Sequence, residues 1–141
     1  MAANTVPIFA LIPTTIGVGR IAAANTASDG SGALVTLYTA ATNGARFDKV
    51  VVLNSQATAA ASSAMVVRLF ITDTAGANPR LIAESALAAA TRSTTVVGAT
   101  VTFTFSGGYI MLAGQILQAC QSLYAGVADQ NDVSVQQYGQ Y

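Results

Sequence analysis

Thr95 to Phe105 reads TVVGATVTFTF. In an extended chain successive side chains point to opposite faces, so Thr95, Val97, Ala99, Val101, Phe103 and Phe105 share one side and Val96, Gly98, Thr100, Thr102 and Thr104 the other. The first side is mostly apolar and the second is rich in threonine, a β-branched residue that suits a pleated surface. A helical period would scatter both sets around a cylinder. The stretch therefore predicts a β-strand with one face in a core and a threonine face in water.

The same punctuation extends in both directions. Gly107-Gly108 reads as a turn, Tyr109 to Leu112 and Ile116 to Gln121 as two short strands around Ala113-Gly114, and Asp132 to Tyr138 (DVSVQQY) as the strand that closes the sheet. Upstream, Ala33 to Ala40 (ALVTLYTA) follows the turn cluster Asp29-Gly30-Ser31-Gly32. Asn43-Gly44 is the pair of residues that a type I′ hairpin prefers, which predicts that Phe47 to Leu53 (FDKVVVL) returns as the partner of that strand. Ala64 to Thr72 (AMVVRLFIT) places Met65, Val67, Leu69 and Ile71 on one side and Val66, Arg68 and Phe70 on the other. Both sides are largely apolar, as in a central strand or one whose outer side meets a partner. Asp73 to Pro79 is a turn, after which Arg80 to Ser85 can pair back. The alanine-rich stretches 57–64 and 83–90 suit short helices on propensity alone, but each is too short to be stable without packing, so short helices, loops and a single helical turn all stay open.

About eight short strands at roughly ten-residue spacing predict an all-β protein, a single-domain β-sandwich of jelly-roll-like type rather than a parallel sheet. Residues 20–141 form the domain, and residues 1–19 form an extended N-terminal arm. Pro7 and Pro13 remove ladder donors from that arm, while Ile8, Phe9, Leu11 and Ile12 are poor solvent-facing residues. The arm lies either on a neighbouring surface or in the domain's own core as its first strand; the sequence leaves both open.

Composition excludes much of enzymology. Among 141 residues there is no histidine and one cysteine, which removes the Ser-His-Asp triad, the imidazole metal site, the disulfide framework and the thiolate zinc cluster. Six basic and six acidic residues give zero net charge. Arg20, Arg46, Lys49, Arg68, Arg80 and Arg92 stand singly, so they cannot neutralise a run of phosphates, and no nucleic acid partner is expected. Ser93 to Ala128 carries no charge but is broken by glycines and glutamines, so no spanning helix and no membrane partner are expected. The segment before Arg20 lacks a basic n-region and is read as neither a signal peptide nor an anchor.

The remaining candidates have plain readings. Gly17-Val18-Gly19 lacks the third glycine and the helix of a dinucleotide loop. Asp129-Gln130-Asn131-Asp132 lacks the glycine and distal glutamate of a calcium loop and is read as a polar turn. Glu84 and the five aspartates are scattered without a recognisable pair; Asp48 beside Lys49 reads as a strand-end ion pair. Cys120 reads as a buried small hydrophobe. Neither a metal nor a cofactor is expected. Tyr124, Tyr138 and Tyr141 favour an interface near the C-terminus. Charged residues make up 9% of the chain against about 25% in an average soluble domain. Neutral threonine, serine, asparagine and glutamine take their place, which suits surfaces that dock on protein at little desolvation cost.

The runs Gly30 to Ala40, Asn43-Gly44-Ala45-Arg46, Phe47 to Val52, Val66 to Ile71 and Arg80-Leu81-Ile82-Ala83-Glu84 resemble the strand-and-turn pattern of small virion proteins of tailed bacteriophages, among them capsid decoration or cement proteins. The resemblance covers about Gly30 to Gln121, and it includes no catalytic signature. It implies a β-sandwich that assembles as a homotrimer on the outer capsid surface, with the major capsid protein as partner. It further implies a chain made in the host bacterial cytoplasm that is no enzyme and stabilises the head. On that reading Ile8, Phe9, Leu11 and Ile12 are candidate capsid contacts, and Tyr38, Val66, Arg68, Phe70 and Tyr138 candidate subunit contacts. The arm and Leu123 to Asn131 depart from the pattern, which keeps open a tail, neck or fibre-attachment protein. A carbohydrate-binding β-sandwich is the reading from another class, weakened by the lack of tryptophan.

Overall fold

In the computed structural model, residues 17–56, 59–136 and 139–140 are described. The strands are β1 (Val18–Ile21), β2 (Val35–Thr39), β3 (Ala45–Asn54), β4 (Met65–Ile71), β5 (Arg80–Leu87), β6 (Thr100–Met111), β7 (Ile116–Gln121), β8 (Asn131–Gln136) and the two-residue β9 (Gly139–Gln140). A single 3-10 turn, Val127–Asp129, is the one helical element among the described residues. Of the alanine-rich stretches, residues 83–87 lie in strand β5, and residues 59–64 and 88–90 lie outside any helix or named strand.

The eight longer strands form two antiparallel sheets. Sheet A has the order β1-β8-β3-β6, with β9 also on β3, and sheet B the order β2-β7-β4-β5. The pairs are thus first with last, second with seventh, third with sixth and fourth with fifth. The two sheets share one hydrophobic cluster that includes Val50, Val52 and Val133 from sheet A and Val67, Leu69 and Leu117 from sheet B.

Alternation explains most of this placement. Met65, Val67, Leu69 and Ile71 enter the core as read from the sequence, and Thr100, Thr102 and Thr104 stay exposed on the outside of sheet A. The β4–β5 hairpin forms around Asp73, whose Oδ1 accepts the N–H groups of Ala75 at 3.0 Å and Ala77 at 2.9 Å.

The hairpin expected at Asn43-Gly44 is absent: β2 pairs with β7 and β3 pairs with β6 and β8, so this turn carries the chain from one sheet to the other. Gly44 has φ 83° and Asn43 does not share the positive φ that a type I′ turn requires at both positions. Instead Gly44 N–H closes the turn on Ala41 O at 2.8 Å.

Two further expectations are corrected in β6. The strand begins at Thr100 rather than Thr95, and Val96 and Val97 are 51% and 84% exposed. Gly107-Gly108 does not end the strand, and Tyr109–Met111 continues it. Phe47 pairs with Tyr109 and Lys49 with Thr104, so Phe105, Ser106, Gly107 and Gly108 bulge opposite Asp48 alone. Positive φ values of 78° and 82° at the two glycines make that bulge possible. Around it Phe47, Phe105 and Tyr109 pack with ring centroids 5.2 to 5.6 Å apart. The phase of β3 shifts opposite the bulge: its buried residues are Ala45 and Phe47 before it and Val50, Val52 and Asn54 after it.

Candidate functional site

The outer side of sheet A offers an open depression of about 650 Å³, lined by Val18, Arg20, Val51, Leu53, Asp132, Ser134 and Gln136 among others. Strand register builds it. Val18 pairs with Ser134 and Ser134 with Val51, while Arg20 pairs with Asp132 and Asp132 with Leu53, so two adjacent rows cross β1, β8 and β3. The rows continue on β6 to Thr102 and Thr100. Val18 is 55% and Leu53 39% exposed.

The charges on this face include one close pair. Arg20 Nε donates to Asp132 Oδ1 at 2.7 Å, and Nη2 donates to Oδ2 at 3.2 Å. The guanidinium holds the Asp132 carboxyl below the ordinary carboxylate range, partly opposed by desolvation. Lys49, opposite Gln136 and Thr104, adds one charge at the end of the face. The sheet therefore presents apolar side chains, hydroxyls, one closed ion pair and the ammonium of Lys49.

A second constellation lies inside. Asn131 and Gln121 are both fully buried, and Asn131 Nδ2 donates to Gln121 Oε1 at 2.7 Å. Gln121 Nε2 donates to Leu123 O and Asp129 O, each at 2.8 Å. Asn54 Nδ2 donates to Ala128 O at 3.0 Å and to Asn131 Oδ1 at 3.2 Å. Asp129, 2% exposed, accepts the N–H of Ser63 at 2.6 Å and of Ala125 at 2.7 Å. Burial pushes its carboxyl up, but these N–H donors outweigh it and the net displacement is downward. The segment read as a polar turn is thus partly buried: Asp129 and Asn131 tie loops and sheets together, while Asp132 faces out. Among the described residues no group of three or more His, Cys, Asp or Glu side chains could hold a metal ion, and no helix is long and apolar enough to cross a membrane.

Tyr38 and Phe70 do not present an outer surface for a neighbouring subunit. A bulge between Thr36 and Tyr38 makes Leu37 the extra residue, so Leu37 and Tyr38 both enter the core, each 5% exposed, where strict alternation would have put one outside. Phe70 does lie outside the core cluster but is fully buried. The β1–β2 connection crosses that side of sheet B. Asn25 N–H binds Gln121 O at 2.8 Å, Asn25 Nδ2 holds Ser31 O at 2.8 Å and Ala33 O at 2.9 Å, and Gly30 reaches Pro79 at the start of β5. Val66 and Arg68 remain half-buried, with Arg68 Nε donating to Glu84 Oε2 at 3.1 Å. Ile8, Phe9, Leu11, Ile12 and Tyr138 lie outside the described residues.

Cys120 is fully buried beside Arg68, and burial raises its thiol pKa, as befits a small hydrophobe. Asp48 pairs with Arg46 Nε at 3.1 Å rather than with Lys49, because neighbours two apart in a strand share a face. The sequence reading missed Val18, Val51 and Leu53 as a surface. It also missed the Asn54–Asn131–Gln121 set, whose residues are remote in the chain and carry no periodic signal. Compared with known proteins, the chain matches no family model, no curated protein and no solved structure.

Proposed function

We propose that the chain is a β-sandwich of jelly-roll type and a non-enzymatic structural protein of a tailed-phage particle, bound to the outer capsid surface as a decoration protein. The observation that carries this reading is the pairing order. A chain folded as one long hairpin, β1–β4 against β5–β8, pairs first with last and so on inward; rolling that hairpin brings β3 beside β8 and β4 beside β7, which are the two remaining pairings. Such rolls are used by viral shell proteins and by lectins. The scarcity of charge in the chain, 9% of residues with six basic and six acidic, favours a protein partner over a nucleic acid.

The mechanism is mass action. A protein that binds only the assembled shell stabilises it by its binding free energy, repeated over many copies. A closed homotrimer matches a shell whose capsomers meet at threefold positions. Solution mass tests the assembly: a species three times the 14.3 kDa chain is expected, and a ring of another order would move the protein to a tail or neck. Deleting Met1 to Pro13 is expected to weaken shell binding; unchanged binding would remove Ile8, Phe9, Leu11 and Ile12 from the contact.

A further inference from the structure

We propose that the free edge of β6 is a self-pairing surface, on which residues 100–104 of a second copy add antiparallel about a dyad at Thr102. β6 ends sheet A, with β3 its single neighbour among the described strands. In an antiparallel ladder, opposed residues alternate between pairs that exchange backbone hydrogen bonds and pairs that do not. Asn54 N–H donates to Ala99 O at 2.8 Å, and from there the register runs Leu53↔Thr100, Val52↔Val101, Val51↔Thr102, Val50↔Phe103 and Lys49↔Thr104. Ala99, Val101 and Phe103 are therefore the residues whose backbone groups turn toward β3. The N–H and C=O groups of Thr100, Thr102 and Thr104 point the other way, along the open edge, and all three residues are exposed.

Self-complementarity selects the second copy. Pairing about Thr102 sets Thr102 opposite its own equivalent and Thr100 opposite the second copy's Thr104, so each opposed pair exchanges two backbone bonds. Threonine then meets threonine across the new seam, a favourable cross-strand pair. A dyad places like beside like, so a charged edge would repel itself, and edges commonly carry lysine or proline against such pairing. Residues 93–128 contain neither a charge nor a proline. The other edges are less suited: β1 carries Arg20, β5 carries Arg80 and Glu84, and β2 has five residues with a bulge at Leu37. Lys49 lies one strand in from the edge, opposite Thr104. Across the dyad the two Lys49 backbones stand three strand spacings and four residues of rise apart, about 20 Å, beyond the screening length of about 8 Å. Five residues a side bury far less area than a standard interface, so the pairing is weak and sets in as concentration rises. It joins chains two by two, adds to a threefold ring without replacing it, and stands apart from the head-shell reading.

The test is disulfide trapping between full-length chains carrying Cys120→Ala, at matched protein concentration. Thr102→Cys lies on the dyad, where opposed Cα atoms about 5.5 Å apart suit a disulfide. It is expected to link chain to chain several times faster than Thr42→Cys, an exposed residue of the turn before β3. Thr100→Cys and Thr104→Cys are expected to link slowly alone and rapidly when mixed with each other. Linking no faster than the Thr42→Cys control at all three positions would overturn the proposal, as would rapid self-linking of Thr100→Cys or Thr104→Cys. Thr102→Pro removes an N–H that β3 does not use, and proline is tolerated at a sheet edge. In sedimentation its mass is expected to rise only at about tenfold higher concentration than that of the unmodified chain. Identical curves for the two proteins would overturn the proposal as well.

Discussion

Asn131 Nδ2 donates to Gln121 Oε1 at 2.7 Å with both side chains fully buried, so a single amide pair joins β8 of one sheet to β7 of the other. Inside a protein such a bond matters chiefly through what its loss leaves behind. An acceptor stranded without water or partner costs about 1–3 kcal/mol.

Asn131→Ala is therefore expected to destabilise the fold by about 2–4 kcal/mol, summing the stranded Gln121 oxygen with the cavity left by the side chain. Urea unfolding measures it. A change within about 0.5 kcal/mol, the usual range for a surface site, would mean that the pair does not hold the sheets.

Asp129 gives a pH dependence. Its folded-state pKa lies below the ordinary value of 3.8, so its contribution to stability is present above that value and is lost as pH falls through the folded-state value. Asp129→Asn keeps one acceptor but turns an amide N–H₂ toward a backbone donor. The variant is expected to show a lower urea midpoint than the parent at pH 7, with the gap narrowing as the pH drops below about 4. A gap independent of pH would refute the assignment.

The β6 bulge separates two neighbouring glycines. Both have positive φ, but a Cβ at Gly107 would meet open space whereas one at Gly108 would come within 2.6 Å of Asp48 Oδ1. Gly107→Ala is expected to cost about 1 kcal/mol of backbone strain. Gly108→Ala should cost more and displace the Arg46–Asp48 ion pair. Equal midpoints for the two variants in thermal unfolding would contradict that ordering.

Cys120 is buried and its thiol pKa is raised, first by desolvation and with the nearby Arg68 opposing. A thiol so placed is a poor nucleophile at neutral pH. Native protein is expected to resist a thiol-labelling reagent at pH 7.5 and to react stoichiometrically once unfolded in urea. Fast labelling of the folded chain would show that sheet B opens on its outer side.

The sequence made the strands legible but not their partners. The threonines 100, 102 and 104 announce a wet face because alternation is local, and the pairing of β4 with β5 follows from the turn at Asp73. Asn43-Gly44 misleads because a turn pair reports local geometry, while the strand after it is claimed by β6 and β8 from far along the chain. Bulges account for the other differences. One extra residue at Leu37 turns Tyr38 inward, and four residues opposite Asp48 merge two expected strands into one, changes that a period-two reading cannot register. The surface at Val18, Val51 and Leu53 arises from register across three strands, and the Asn54–Asn131–Gln121 set from three strand ends meeting, so neither has a signature in a single segment.

Co-sedimentation with phage heads tests the central claim most directly. Purified protein is mixed with empty heads from which small surface proteins have been stripped, and the pellet is quantified against total protein. Saturable pelleting at a fixed ratio to the major capsid protein, with heads that then resist heating, is expected. A protein that stays in the supernatant at every concentration, and leaves the heads as heat-sensitive as before, would contradict the account.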